Sequence, residues 1–165
     1  MRDDFLSRNP TSWSPRQFSN LDNIACHQTL TAPEILQDVS GLGKEWGCFV
    51  HGSGTGGTIE GVRRFIKENK MSTKVVMVQP SDNPHGIQGI ADGKDFLAKQ
   101  SDFEEIVRVS TADAIKTAKS FAASTGVLIG ISAGANIAAA KLWASRNKDS
   151  SSRLNLLVSF TLFKK

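Results

Sequence analysis

Trp46-Gly47-Cys48-Phe49-Val50, then Gly52-Ser53-Gly54-Thr55-Gly56-Gly57-Thr58, then Ile59, Val62, Phe65 and Ile66: this stretch decides the fold. The first run is short and mostly apolar, which suits a buried strand. The glycines interrupt it. After Thr58 the apolar residues recur at three- and four-residue spacing through Asn69, which is a helical period. Val75-Val76-Met77-Val78 forms the next strand, ended by Gln79-Pro80. Strand, glycine loop, helix, strand predicts a right-handed crossover between parallel strands.

A second unit follows downstream. Ile106–Val109 reads as a strand, and Ser110 with Asp113 caps a helix whose stripe is Ile115, Ala118, Phe121 and Ala122, stopped by Gly126. Val127–Ile131 is wholly apolar and is predicted to be a strand, leading through Ser132-Ala133-Gly134-Ala135 into an alanine-rich helix ending near Trp143. Leu154–Phe160 is the last predicted strand. Upstream, Thr31 and Glu34 have capping-box spacing before Ile35, Leu36 and Val39, and Gly41 and Gly43 stop that helix. The alternation gives the fold class: α/β, a parallel twisted sheet with helices on both faces. Residues 1–25 are polar, carry Pro10 and Pro15, and show no period, so they read as an irregular remnant. The expected organisation is that remnant, an α/β domain over 26–147, and a divergent tail over 148–165.

Composition narrows the function classes. The chain has 165 residues, 39% hydrophobic and 22% charged, which is globular rather than disordered. No apolar run reaches the roughly 20 residues of a membrane-spanning helix. The start, MRDDFLSRNP, has no apolar stretch of the secretory type. Cys26 and Cys48 make neither a disulfide framework nor a CxxC metal pattern, so no metal is expected. These features together predict a cytoplasmic protein with no membrane partner. The net charge of +4 invites nucleic acid. The densest basic cluster, Arg63, Arg64, Lys67 and Lys70, falls on the polar side of the helix after the glycine loop, however. No aromatic residues interleave with it for base stacking, so no nucleic-acid partner is expected.

The glycine loop carries the chemistry. Glycines between a strand and a helix bring the backbone close to a ligand and present successive N–H groups beside the helix's positive end, an anion site suited to phosphate. Gly52, Gly54 and Gly57 also satisfy G-x-G-x-x-G, but a dinucleotide site wants an acid at the end of the next strand, where Gln79 stands. A tight turn without a ligand is the third reading.

Four ordered motifs bear on that choice. Gly54-Thr55-Gly56-Gly57-Thr58 resembles the phosphate loop of fold-type II pyridoxal-phosphate enzymes, specifically the cysteine synthase (O-acetylserine sulfhydrylase) and cystathionine β-synthase family. Gln17-Phe18-Ser19-Asn20 with His27 and Thr31-Ala32-Pro33-Glu34-Ile35 resembles the family segment QFxNxxNxxxHxxTTGPEI. Pro84-His85-Gly86-Ile87-Gln88-Gly89-Ile90-Ala91-Asp92-Gly93 resembles PHKIQGIGxG, and Gly130-Ile131-Ser132-Ala133-Gly134-Ala135 resembles GISSGA. The likeness runs from about residue 17 to about residue 147.

The resemblance implies pyridoxal 5′-phosphate as cofactor, its phosphate on Gly54, Thr55, Gly56, Gly57 and Thr58 and its ring nitrogen on Ser132. A neutral hydroxyl there leaves that nitrogen largely unprotonated, which suits β-elimination and β-replacement. Ser132 also fits a helix N-cap, and both roles stay open. Gln88, Gly89, Ile90 and Ala91 match the segment on the substrate side of the cofactor, while His27, His51 and His85 are read as structural or loop residues.

The implied reaction is cysteine formation from O-acetylserine and sulfide, with an amino acid as small-molecule substrate and a homodimer for the full-length enzyme. The S-x-K segment that carries the family's Schiff-base lysine does not occur here, so no catalytic residue is nominated, and the chain alone is expected to be inactive. From Lys148 the chain reads KDSSSRLNLLVSFTLFKK and lacks the family's serine-rich turn. A truncated or frame-shifted C-terminal portion of the larger domain is therefore expected. The alternatives are a cystathionine β-synthase or serine/threonine dehydratase fragment, a non-catalytic binding or regulatory module of the same fold, and a dinucleotide-binding Rossmann domain.

Overall fold

The computed structural model describes residues 2–91, 93–147 and 156–158. Its strands are β1 (Cys48–Gly52), β2 (Lys74–Pro80), β3 (Glu105–Val109) and β4 (Leu156–Val158), all parallel, in the spatial order β3-β2-β1-β4. β1 is interior: Cys48, Phe49 and Val50 lie opposite Lys74, Val75 and Val76 on one side and Leu156, Leu157 and Val158 on the other. The helices are α1 (Arg2–Arg8), α2 (Asp22–Cys26), α3 (Ala32–Gly41), α4 (Gly57–Glu68), α5 (Thr111–Thr125) and α6 (Ile131–Arg146). The parallel α/β architecture expected from the sequence is the one observed.

Both faces of the sheet are covered, and the strand period assigns the residues to them. Cys48, Val50, Val76, Val78, Val107 and Val109 point to one side and pack on Ala114 of α5 and on Ala135, Ala139 and Trp143 of α6. Phe49 and Met77 point to the other and pack on Val39 of α3 and on Ile59, Val62 and Ile66 of α4. Burial on two faces is why β1 and β2 read as continuous apolar runs rather than alternating ones. α5 and α6 touch closely because Gly134 has no side chain: a Cβ there would run into the Ala114 carbonyl. Ser110 Oγ accepts from the Asp113 N–H at 3.0 Å and Gly126 ends α5 at φ +75°, as the sequence predicts.

Three local expectations give way. Thr31 is no helix cap. α2 runs through a π turn, His27–Thr31, directly into α3, and Thr31 Oγ1 pairs with His27 Nδ1 at 2.9 Å instead. Residues 1–25 are not wholly irregular, because α1 forms with Asp3 and Asp4 in its first turn and Arg8 in its last, charges that suit the helix dipole. Val127–Ile131 is not a strand. It is extended with one bridge at Ile129, α6 already begins at Ile131, and Val127 and Leu128 are 43% and 76% exposed. Of the predicted strand Leu154–Phe160, residues 156–158 form β4. The rest of the expected tail over 148–165, like Asp92, lies outside the described residues.

Candidate functional site

The chain leaves β1 at Gly52 and enters α4 at Gly57 through Gly56, whose φ of +85° favours glycine. Gly57 N–H donates to Thr55 Oγ1 at 3.2 Å, but the amides of Gly54, Thr55, Gly56, Thr58 and Ile59 find no acceptor among the described residues. The glycines themselves are demanded by packing. A Cβ at Gly56 would sit 2.5 Å from the Ala98 nitrogen, one at Gly54 would strike the Gly89 carbonyl, and one at Gly57 would overlap the Asn23 amide.

Segments far away in sequence brace the loop. Asn23 Nδ2 donates to Thr55 Oγ1 at 3.1 Å and to the Gln17 carbonyl at 2.9 Å. His27 Nε2 pairs with Thr58 Oγ1 at 3.1 Å. Leu97 N–H donates to the Thr55 carbonyl at 3.0 Å, and Ala91 N–H to the Ser53 carbonyl at 2.9 Å. α4 is anchored below: the buried carboxylate of Glu60 accepts from Arg63 Nε and from Arg64 Nε, each at 2.7 Å. Burial pushes the Glu60 carboxyl up, but the hydrogen bonds and charges of the two arginines outweigh it and hold the group below its ordinary value. Two residues of the basic cluster are thus occupied by an ion pair within α4, and Arg63 also lies 5.5 Å from the Phe103 ring centre.

Above the carboxyl ends of the strands the loop opens into a cavity of about 310 Å³. Gly54, Thr55, Gly56, Thr58 and Ile59 form one wall, Gly89 and Ile90 another, and α6 supplies Ser132 and Asn136, one helical turn apart. Gly57 supports this wall from behind, against Asn23. Ser132 sits within the first turn of α6, two residues after the cap Gly130, so the N-cap reading of its position is not what the structure shows. An adjoining cavity of about 420 Å³ shares Gly54, Thr55, Gly89 and Ile90 and adds Gln17, Phe18, Ala91, Lys94 and Phe96. Gln88 is exposed and lines neither. Gln79, the residue standing where a dinucleotide site wants an acid, is buried, with its Nε2 3.4 Å from Met77 Sδ.

Two polar residues of the wall, His51 and Asn136, were not singled out from the sequence as site residues. Asn136 had an available signal: four residues after Ser132, it is the one buried polar side chain in an alanine-rich helix. His51 follows from strand parity, since it shares a face with Phe49 and stacks on that ring at 5.7 Å.

The arrangement fits a phosphorylated ring. Unpaired amides and the hydroxyls of Thr55 and Thr58 at a helix start suit a phosphate, and the Ser132 hydroxyl across the cavity suits a ring nitrogen. Among the described residues no cluster of His, Cys, Asp or Glu would hold a metal ion.

Comparison with known proteins points the same way. Residues 4–159 match the family model described as pyridoxal-phosphate dependent enzyme. The chain is 39% identical over 158 residues to cysteine synthase B of Campylobacter jejuni, covering 88% of this chain and 51% of that protein. It is 36% identical to a probable cysteine synthase of Bacillus subtilis, covering 83% of this chain and 47% of that one. In three dimensions it superposes on O-acetyl serine sulfhydrylase isoform 3 of Entamoeba histolytica with a TM-score of 0.83 and 32% identity, over 96% of this chain and 50% of that one. The chain thus spans about half the length of these relatives. Motifs, fold and loop geometry agree, and the chain belongs to the pyridoxal-phosphate dependent enzymes.

Proposed function

We propose that this chain is the cofactor-binding part of a cysteine synthase-like enzyme, which replaces the β-substituent of O-acetylserine with sulfide. The observation that carries the reading is the meeting, in one cavity, of the unpaired loop amides with Ser132 of α6. Pyridoxal phosphate, when bound, supplies the electron sink for β-elimination and β-replacement on an amino acid. Gly54, Thr55, Gly56, Gly57 and Thr58 hold the phosphate through backbone N–H groups and hydroxyls, with the positive end of α4 behind them. Ser132 holds the ring nitrogen by a neutral hydroxyl. Gln88, Gly89, Ile90 and Ala91 form the substrate-side segment, of which the last three line the adjoining cavity. The names of the relatives support the substrate class.

Among the described residues no lysine lines the cavity between the loop and Ser132. The chain by itself therefore binds the cofactor weakly and without a covalent link, and turnover needs a lysine supplied from elsewhere. In the complete enzyme we place this domain in a homodimer of the cytoplasm. The test is a titration of the purified chain with pyridoxal phosphate, pyridoxal and NAD, followed by borohydride reduction. Saturable, non-covalent binding of pyridoxal phosphate, much weaker binding of pyridoxal and none of NAD is the expected result. Binding of NAD without pyridoxal phosphate overturns the cofactor assignment, and cysteine formation by the chain alone overturns its dependence on an outside lysine.

A further inference from the structure

We propose that His51 is an additional phosphate-contacting residue, its imidazole donating a hydrogen bond to the oxyanion cradled by the glycine loop. The proposal rests on the reading of Gly54–Thr58 as that cradle. Strand parity sends His51 to the α4 side of the sheet, and the Phe49 ring, tilted by 20° to it, fixes its plane. β1 ends one residue later, and His51 lines the cavity whose wall includes Thr58 and Ile59. Neither ring nitrogen hydrogen-bonds to a described residue, and Nδ1 is buried without a partner. The imidazole is half-buried, but a ring nitrogen that is itself buried with no protein partner is uncommon and points to an absent one.

Its surroundings specify the partner's charge. His51 is the only titratable group among the described residues that line the cavity, and no carboxylate stands there. Glu60 on α4 is engaged by Arg63 and Arg64. The group facing His51 from the π turn is His27, which is held between Thr31 and Thr58. Burial, with His27 beside it, pushes the His51 imidazole down to about 4, and burial lowers His27 as well. Both rings are therefore neutral near neutral pH. A neutral imidazole brings one N–H donor, and an oxyanion beside it favours that donor and any proton it acquires. Thr58 ties His27 to the loop and shares the cavity wall with His51, so an anion seated on the Thr58 hydroxyl lies on the wall that His51 also forms.

The experiment is calorimetric titration of the full chain with inorganic phosphate, for wild type, His51→Ala and Thr55→Ala, together with ring 15N chemical shifts of the wild-type histidines. His51→Ala is expected to weaken phosphate binding on the order of tenfold, the loss of one hydrogen bond to a charged group. The His51 ring nitrogens of the wild type should move on saturation, a response that a packing role would not produce. Unchanged affinity in a folded His51→Ala chain overturns the proposal, as do unmoved His51 resonances. The resonances decide the matter if the variant does not fold. A wild type that binds no phosphate overturns the cradle itself and His51's part in it. Weaker binding by Thr55→Ala alone leaves the cradle standing and removes only His51.

Discussion

β1 with the loop after it and Val127–Gly130 before α6 are written alike: an apolar run, a glycine, a helix. Only the first becomes a strand. β1 has β2 on one side and β4 on the other, and Cys48, Phe49 and Val50 are completely buried. Val127–Gly130 has one bridge at Ile129 and leaves Leu128 in solvent. Intrinsic preference is the same in both. Neighbours decide, because strand preference measures a fit to a pleated surface that must already be there.

The sharpest way to break this comparison is to remove one ring from the buried run. Phe49→Ala is expected to destabilise the chain by about 3–5 kcal/mol in urea unfolding, since Phe49 packs on Trp46 at 5.9 Å and is fully buried. A loss near zero would mean that β1 is no better packed than Val127–Gly130.

Acid gives a somewhat smaller effect from the same strand. The unfolded chain takes up a proton on His51 near 6.5, whereas the fold resists it down to about 4. Stability from this group is complete above the first value and declines as pH falls toward the second, by up to about 3 kcal/mol. His51→Phe keeps an aromatic ring and removes the titration, so urea unfolding between those pH values should show a shallower acid slope. An unchanged slope would assign the acid loss to other groups.

The smallest effect belongs to the exposed run. Leu128→Ser should change stability by less than about 0.5 kcal/mol while reducing self-association in sedimentation, because it removes apolar surface and no buried contact. A cost of several kcal/mol would show that Leu128 is covered in solution.

The same contrast explains what was legible in the sequence. Glycines, the Ser110 cap and the three- and four-residue period act locally, so β1, α4, β2 and α5 could be read within a few residues of their ends. Thr31 could not, because its hydroxyl is taken by His27 inside a continuous helix. For the site, the motifs named the loop and Ser132, but which side chains share a wall depends on how β1, α4 and α6 converge. Spacing and strand parity could have flagged Asn136 and His51, but that the two share a wall emerged only from the assembled sheet. Asn23 and His27 brace the loop across more than thirty positions of chain, a relation that no local pattern encodes.

The π turn has a consequence for how this protein tolerates change. Its wider winding accommodates one residue more than an α-helical turn would, which sets Asn23 and Ile24 upstream about 100° out of phase with an unbroken helix through Ala32 and Val39. Deleting a single residue between His27 and Thr31 would leave a longer, more regular helix. That regular helix would rotate Asn23 away from Thr55 and His27 away from Thr58. The irregularity keeps these two contacts in phase with the packing of Ala32 and Val39 downstream, so a deletion that improves the helix would dismantle the anion loop.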